Sequence, residues 1–216
     1  CLSITLYGKL LKDLTLHYES MKTIAQATGL LDLYVGMAIA KDKYGYCKPI
    51  AKKHASAFLK TQRLRHPLVE RHTKYIPQDI SLGTGAQGPD GMLLYGVNQT
   101  GKSCTMKSVG VAIIMAQAGF YVPAESFVYS PYELLTTRIL GNDNIDRGLS
   151  TFAVEMIELR SILTRCTNRS LNLGDEVCHG TESASAVSIV AASIMHMSKM
   201  NANFIFATHL HELSSM

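Results

Sequence analysis

The sequence lacks the marks of an oxidising or membrane setting. No C-x-x-C pair occurs, and the five cysteines (Cys1, Cys47, Cys104, Cys166 and Cys178) are odd in number and show no metal-site spacing. A disulfide framework and a zinc ribbon are thereby disfavoured, and the thiols read as small core residues of a protein from a reducing compartment. Nothing at the start resembles a signal peptide, and the apolar run from Val109 to Phe120 is broken by Gln117 and Gly119 and is shorter than a membrane span. An intracellular, non-secreted location and no membrane partner are expected. An excess of one charge sign is also largely missing. The 21 Lys or Arg against 17 Asp or Glu leave +4, which permits nucleotide or nucleic-acid binding without demanding it. The excess is concentrated in Lys41, Lys43, Lys48, Lys52, Lys53, Lys60, Arg63 and Arg65, which read as a solvated surface. No short internal repeat is visible.

What is present is a chain of 216 residues, 47% hydrophobic, enough for one well-buried domain and a smaller partial one. It is organised around Gly91 to Ser103. Gly96, Gly101, Lys102 and Ser103 fit G-x-x-x-x-G-K-[ST], the phosphate-binding loop. Met92 to Tyr95 form a short apolar and aromatic run suited to a buried strand. Met106, Val109, Gly110, Ile113, Ile114 and Gln117 then fall at helical spacing. Strand, glycine loop and helix bring backbone N–H groups around phosphates at a helix N-terminus. The competing reading is a glycine-rich turn before an ordinary helix.

Residues 1–39 carry apolar residues mostly at three- or four-residue steps and predict helices, with Gly29 marking a break. Residues 40–65 are basic and predict a linker or irregular surface, with a domain boundary near residue 60. Pro67 and Pro77 hold their preceding neighbours extended, so the segments around them predict short strands. Further on, the pattern predicts strands over Leu134–Ile139, Ser170–Asp175 and Asn203–Ala207. It predicts helices after Lys102, from Ser150 or Thr151, and over Ser183–Met200. This alternation implies a three-layer α/β unit. Asn172 and Gly174 sit awkwardly in a buried parallel strand, unless Gly174 admits a close neighbour.

A phosphate loop requires a cation and a group that activates water. Lys102 would reach the β and γ phosphates, Ser103 would supply a hydroxyl to Mg2+, and the amides between Val97 and Ser103 would add donors. Asp175, at a neighbouring strand end, would hold the Mg2+ through water. Glu176 would polarise the attacking water. His209 ends the last strand, where ligands sit in a doubly wound sheet, and would sense the γ-phosphate or orient water. A His209-x-His211 metal site is the weaker alternative. His66, His72, His179 and His196 read as structural or surface residues.

An ordered set of segments resembles the MutS family of DNA mismatch-recognition ATPases, within the ABC-type group. The set comprises Arg65-His-Pro-Leu-Val-Glu70, Gly96 to Ser103, Pro123-Ala-Glu-Ser126, Thr137-Arg-Ile, Gly148-Leu-Ser-Thr-Phe-Ala-Val-Glu-Met156, Asp175-Glu176 with Gly180-Thr181, and Ala207-Thr-His209. The resemblance implies a P-loop, three-layer ABC-type ATPase domain over 61–216, truncated at its C-terminal end. Residues 1–60 would be the end of a helical lever or core domain with a basic linker.

ATP or ADP and Mg2+ would be the cofactors. The nucleotide would lie along Gly96, Val97, Asn98, Gln99, Thr100, Gly101, Lys102, Ser103 and Cys104, with Tyr75 stacking on adenine. Ser150 and Thr151 would reach the nucleotide of a partner subunit. A homodimeric or heterodimeric MutS-type partner, double-stranded DNA in the full-length protein and downstream repair factors would be the partners. The location would be the nucleus, a DNA-containing organelle, or viral or bacterial cytoplasm. ATP would drive a sliding-clamp switch, with weak hydrolysis in the isolated fragment.

Two alternatives stay open: a related ATPase of recombination or anti-recombination, and an ATP-binding scaffold without turnover. Gly174, Cys178, His179, Glu182 and the Gln99-Thr100 pair depart from the usual pattern, as in a divergent branch such as that of giant viruses and some organelles.

Overall fold

A computed structural model describes residues 2–83, 88–96, 100–138, 151–178, 183–210 and 212–213. The chain forms two compact units, Cys1–Tyr44 and Gly45–Met216. The first consists of α1 (Leu2–Leu16) and α2 (Tyr18–Tyr44). Gly29 ends neither helix. The break falls at His17, whose N–H donates to the Leu14 carbonyl at 3.0 Å. One internal glycine costs about 1 kcal/mol relative to alanine, which a 27-residue helix absorbs. α2 buries none of its residues and exposes Leu30, Leu31, Tyr34 and Ile39. The sequence points to no membrane partner, yet α2 has the length and composition to cross one, with a mean hydropathy of 1.3 over its most apolar window. Length and hydropathy do not separate such a helix from one covered by other protein helices.

The second unit holds two four-stranded sheets. One comprises β1 (Ile50–Ala51), β2 (Phe58–Leu64), β3 (Gln78–Leu82) and β5 (Ser126–Ser130), in the order β1-β5-β2-β3. β2 runs antiparallel to β3 and β5, and β1 runs parallel to β5. This mixed sheet differs from the linker expected over 40–65, and the boundary placed near residue 60 falls inside β2. The cause is alternation: Leu59, Thr61 and Leu64 point inward while the lysine and arginine between them face solvent. The segment after Pro67 is also not a strand. It forms a 3-10 turn, Val69–Arg71.

The other sheet is parallel throughout and contains β4 (Gly91–Leu94), β6 (Leu134–Arg138), β7 (Ser170–Asp175) and β8 (Asn203–Ala207), in the order β4-β8-β7-β6. Between the sheets lies α3 (Lys102–Gln117). It buries Met106, Val109, Ala112, Ile113 and Ala116 in one core with Leu59, Leu82, Phe127, Leu171, Leu173 and Ile205. α4 (Thr151–Arg165) and α5 (Ser183–Lys199) cover the opposite face. There Leu159, Val187, Val190 and Met197 pack on Phe204 and Phe206. The period-two alternation of β8 thus serves both faces, with Ile205 turned to α3 and its two phenylalanines to α4 and α5. This is a mixed α/β fold with a parallel sheet flanked by helices.

The two awkward residues of β7 have physical accounts. The Asn172 side chain accepts from Thr136 Oγ1 at 2.7 Å and donates to the Asn203 carbonyl at 3.2 Å. Tyr132 donates to Asn203 Oδ1 at 2.7 Å, and Asn203 Nδ2 donates to the Asp90 carbonyl at 3.3 Å. These bonds link β7 to its neighbours within a buried, satisfied polar network. A Cβ on Gly174 would lie 2.8 Å from the Phe206 ring and 2.8 Å from Val177 Cγ2. The glycine therefore makes room for the phenylalanine beside it.

Candidate nucleotide site at the carboxyl ends of the parallel strands

Register brings the candidate residues to one end of the parallel sheet. Leu94 and Asp175, the last residues of β4 and β7, both pair with Ala207, the last residue of β8. Pairing continues beyond β8, because Thr208 N–H donates to the Leu94 carbonyl at 3.0 Å. On the other side Glu176 N–H donates to the Ala207 carbonyl at 2.9 Å. The chain leaves β4 through Tyr95 and Gly96 and re-enters at Thr100. Val97, Asn98 and Gln99 lie outside the described residues.

Gly101 caps α3 with φ of 92°, a left-handed conformation that L side chains rarely adopt. Its carbonyl accepts from Thr105 N–H at 2.8 Å, which closes the first turn. That turn holds no acidic residue, so the positive end of the helix dipole is uncompensated there. Ser103 and Cys104 are half-buried in it. Burial raises the Cys104 thiol pKa, with the Lys107 charge opposing. Thr100 is exposed.

The Lys102 ammonium folds back to donate to the Gly96 carbonyl and stands 3.5 Å from His209 Nε2. The same imidazole nitrogen lies 2.7 Å from Glu176 Oε1. One ring nitrogen holds one proton, so a short bond to a carboxylate makes Nε2 the donor and leaves the longer lysine contact weak. Glu176 takes φ of 49°, left-handed although it is not glycine. Such strain persists only where the surroundings over-determine it. Asp175 is buried at the strand end. Lys102, Glu176 and His209 thus form a chain of contacts from three different strand-end segments, with Asp175 and Ser103 on two of the same segments.

Other candidates are distributed differently. The half-buried Tyr75 places its hydroxyl 3.5 Å from Ser108 Oγ, in the second turn of α3. Ser150 lies outside the described residues. Thr151 begins α4, with its side chain outside the described set. His66 is buried, and its Nδ1 accepts from Leu68 and Val69 N–H at 3.3 and 3.4 Å. Burial, then the Lys107 charge, lowers its pKa. His196 contacts the Leu163 carbonyl at 3.2 Å. His66 is thus a buried structural residue and His196 an exposed surface one, while His179 and His211 lie outside the described residues. The cysteines divide: Cys166 and Cys178 are buried, whereas Cys47 and Cys104 are only half-buried.

The donor set fits a polyphosphate with a hard divalent cation. A lysine and a helix N-terminus free of acids supply positive potential, and a hydroxyl with one buried carboxylate suits Mg2+, which keeps several waters and takes few protein ligands. Among the described residues no group of three or more His, Cys, Asp or Glu forms a metal site.

This arrangement defines a class, an α/β protein with a helix N-terminus free of acidic residues at the carboxyl ends of a parallel sheet. Comparison with known proteins narrows it. The family model for MutS domain V matches residues 92–216, more than half of the chain. The chain is 37% identical over 249 residues to a mutS homolog of Acanthamoeba polyphaga mimivirus, covering 96% of this chain and 22% of that protein. It is 40% identical over 218 residues to the mitochondrial DNA mismatch repair protein mutS homolog of Sarcophyton glaucum, covering 97% and 22%. It is 35% identical over 219 residues to the DNA mismatch repair protein MutS of Carboxydothermus hydrogenoformans, covering 100% and 26%. The chain belongs to the MutS family, with domain V matched over residues 92–216. It spans roughly a quarter or less of the length of these relatives.

Sequence reasoning missed Arg138 and Glu155 as a pair. Both occur in the quoted segments, but their contact joins a strand end to a helix and carries no short spacing signal.

Proposed function

We propose that this chain binds and hydrolyses ATP with Mg2+ as the P-loop, ABC-type ATPase domain of a MutS-type DNA mismatch-repair protein. The observation that carries the proposal is the chain of contacts Lys102–His209–Glu176 at the N-terminus of α3. Lys102 neutralises phosphate charge, Ser103 and Asp175 hold Mg2+, and Glu176 polarises the attacking water while His209 orients it. The loop amides of Gly96, Val97, Asn98, Gln99, Thr100, Gly101 and Ser103, with Cys104, line the phosphates, and Tyr75 lies against adenine. Held by Ser103 and Asp175, Mg2+ would supply charge neutralisation to the phosphates.

The whole protein acts as a homodimer or heterodimer on double-stranded DNA, with Ser150 and Thr151 completing the partner's site. ATP drives a sliding-clamp switch that engages downstream repair factors. Its location is intracellular, and the apolar faces of α1 and α2 pack against protein rather than membrane. The curated relatives named for DNA mismatch repair support this role.

The test is Glu176→Gln in the full-length protein with DNA. Turnover is expected to fall by about 10²-fold or more with nucleotide affinity retained. Turnover near the wild-type rate would remove Glu176 as water activator. If the unmutated protein itself binds ATP tightly and does not turn it over, the chain is a scaffold.

A further inference from the structure

We infer that Arg138 is a positioning residue for Glu176, acting through its ion pair with Glu155 beside the turn that follows β7. The inference rests on the reading of Glu176 as the water-activating group.

Arg138 ends β6 and pairs in register with Gly174, the residue before Asp175. Its guanidinium spans two carboxylates of α4, with Nη2 3.0 Å from Glu155 Oε1 and Nε 2.9 Å from Glu158 Oε2. Arg138 and Glu155 are 15% and 5% exposed, whereas Glu158 is 47% exposed. Glu155 Oε2 is buried and has no hydrogen-bond partner among the described residues. A buried ion pair with an unsatisfied oxygen gains little stability over packed apolar groups of the same volume. Stability is therefore a weak reason for these charges, and geometry is a better one.

The geometry concerns the turn from Glu176 to Cys178. Both residues are left-handed, with φ of 49° and 68°, a conformation that non-glycine residues keep only where their surroundings hold them in it. One flank of the turn is tied by the bond from Glu176 N–H to Ala207. On the other flank Cys178 is 2% exposed and lies within electrostatic reach of Glu155 and Arg138. The ion pair clamps α4 to the end of β6, and α4 sets Leu159 in the buried cluster that holds Val177 and Cys178. With both flanks held, the backbone keeps the strained conformation that aims Glu176 at His209.

The test uses full-length protein and steady-state and single-turnover ATPase measurements. Arg138→Gln is expected to lower kcat at least tenfold while nucleotide affinity stays within twofold. In the Glu176→Gln background it is expected to cause no further loss, because the group it positions is already gone. Arg138→Gln leaves Glu155 buried without its partner, so Arg138→Met with Glu155→Met is tested beside it. That pair removes both buried charges, should fold, and should show the same kcat loss. Unchanged kcat in the folded paired variant, or a loss that multiplies with that of Glu176→Gln, overturns the inference. Wild-type turnover that survives Glu176→Gln removes the assignment of Glu176 and the positioning role with it, an outcome distinct from either of those.

Discussion

His209 Nε2 stands 2.7 Å from Glu176 Oε1, joining the segments that leave the adjacent strands β8 and β7. A single nitrogen thereby holds the carboxylate while remaining 3.5 Å from the Lys102 ammonium. Replacing His209 with Ala removes the donor. Turnover should fall by about a hundredfold, the lower end for a positioned acid–base partner. His209→Asn, which offers an amide donor, should lose less. Equal turnover in wild type and His209→Ala would detach the imidazole from the chemistry.

Lys102 donates to the Gly96 carbonyl, a neutral acceptor that a phosphate would outcompete through a charge-assisted bond. Lys102→Ala should weaken ATP binding by roughly ten- to a hundredfold, since a hydrogen bond to a charged group contributes about 1.5–3 kcal/mol. Titration with a fluorescent nucleotide measures it. Lys102→Arg should fall between the two, because it keeps the charge but not the shape. An unaltered affinity for Lys102→Ala would place the phosphates elsewhere.

The parts legible in the sequence were those set by local pattern. Gly101-Lys102-Ser103 after an apolar run marked the start of α3, and strand periodicity followed by Asp175-Glu176 marked the end of β7. The mixed sheet was not legible, because β2 alternates apolar residues with lysine and arginine and looks basic when read by composition. Asn172 looked misplaced because its partners, Thr136 and the Asn203 carbonyl, lie on neighbouring strands far away in sequence. The Arg138–Glu155 pair was hidden for the same reason. Gly174 was legible as a site of close approach, but its neighbour Phe206 became visible only through register.

That neighbour gives a stability prediction. A methyl at Gly174 would press on the Phe206 ring and on Val177, the latter in the turn that follows Glu176. Gly174→Ala should destabilise the domain by about 1–3 kcal/mol, the usual cost of overpacking a core. Thermal unfolding measures it. Phe206→Leu in the same chain should recover part of the loss, because a smaller side chain vacates the space. If Gly174→Ala alone melts at the wild-type temperature, the close approach does not constrain the strand.

The thiol of Cys178 supplies a prediction with a defined pH window. Burial first, then the Glu155 carboxylate, push its pKa from the ordinary 9.0 up to about 11, while Arg138 pulls the other way. The folded protein therefore favours the neutral thiol more than the unfolded chain does. Its contribution to stability is fully present below pH 9 and is lost as pH rises through 11. Chemical denaturation between these limits should show wild type losing stability faster than Cys178→Ala, which has no thiol to ionise. In the native state at pH 8 Cys178 should also resist alkylation, since the thiolate is the reactive form, and should react readily in denaturant. Parallel pH profiles for wild type and Cys178→Ala would show that the thiol titrates alike in both states and that burial does not raise its pKa.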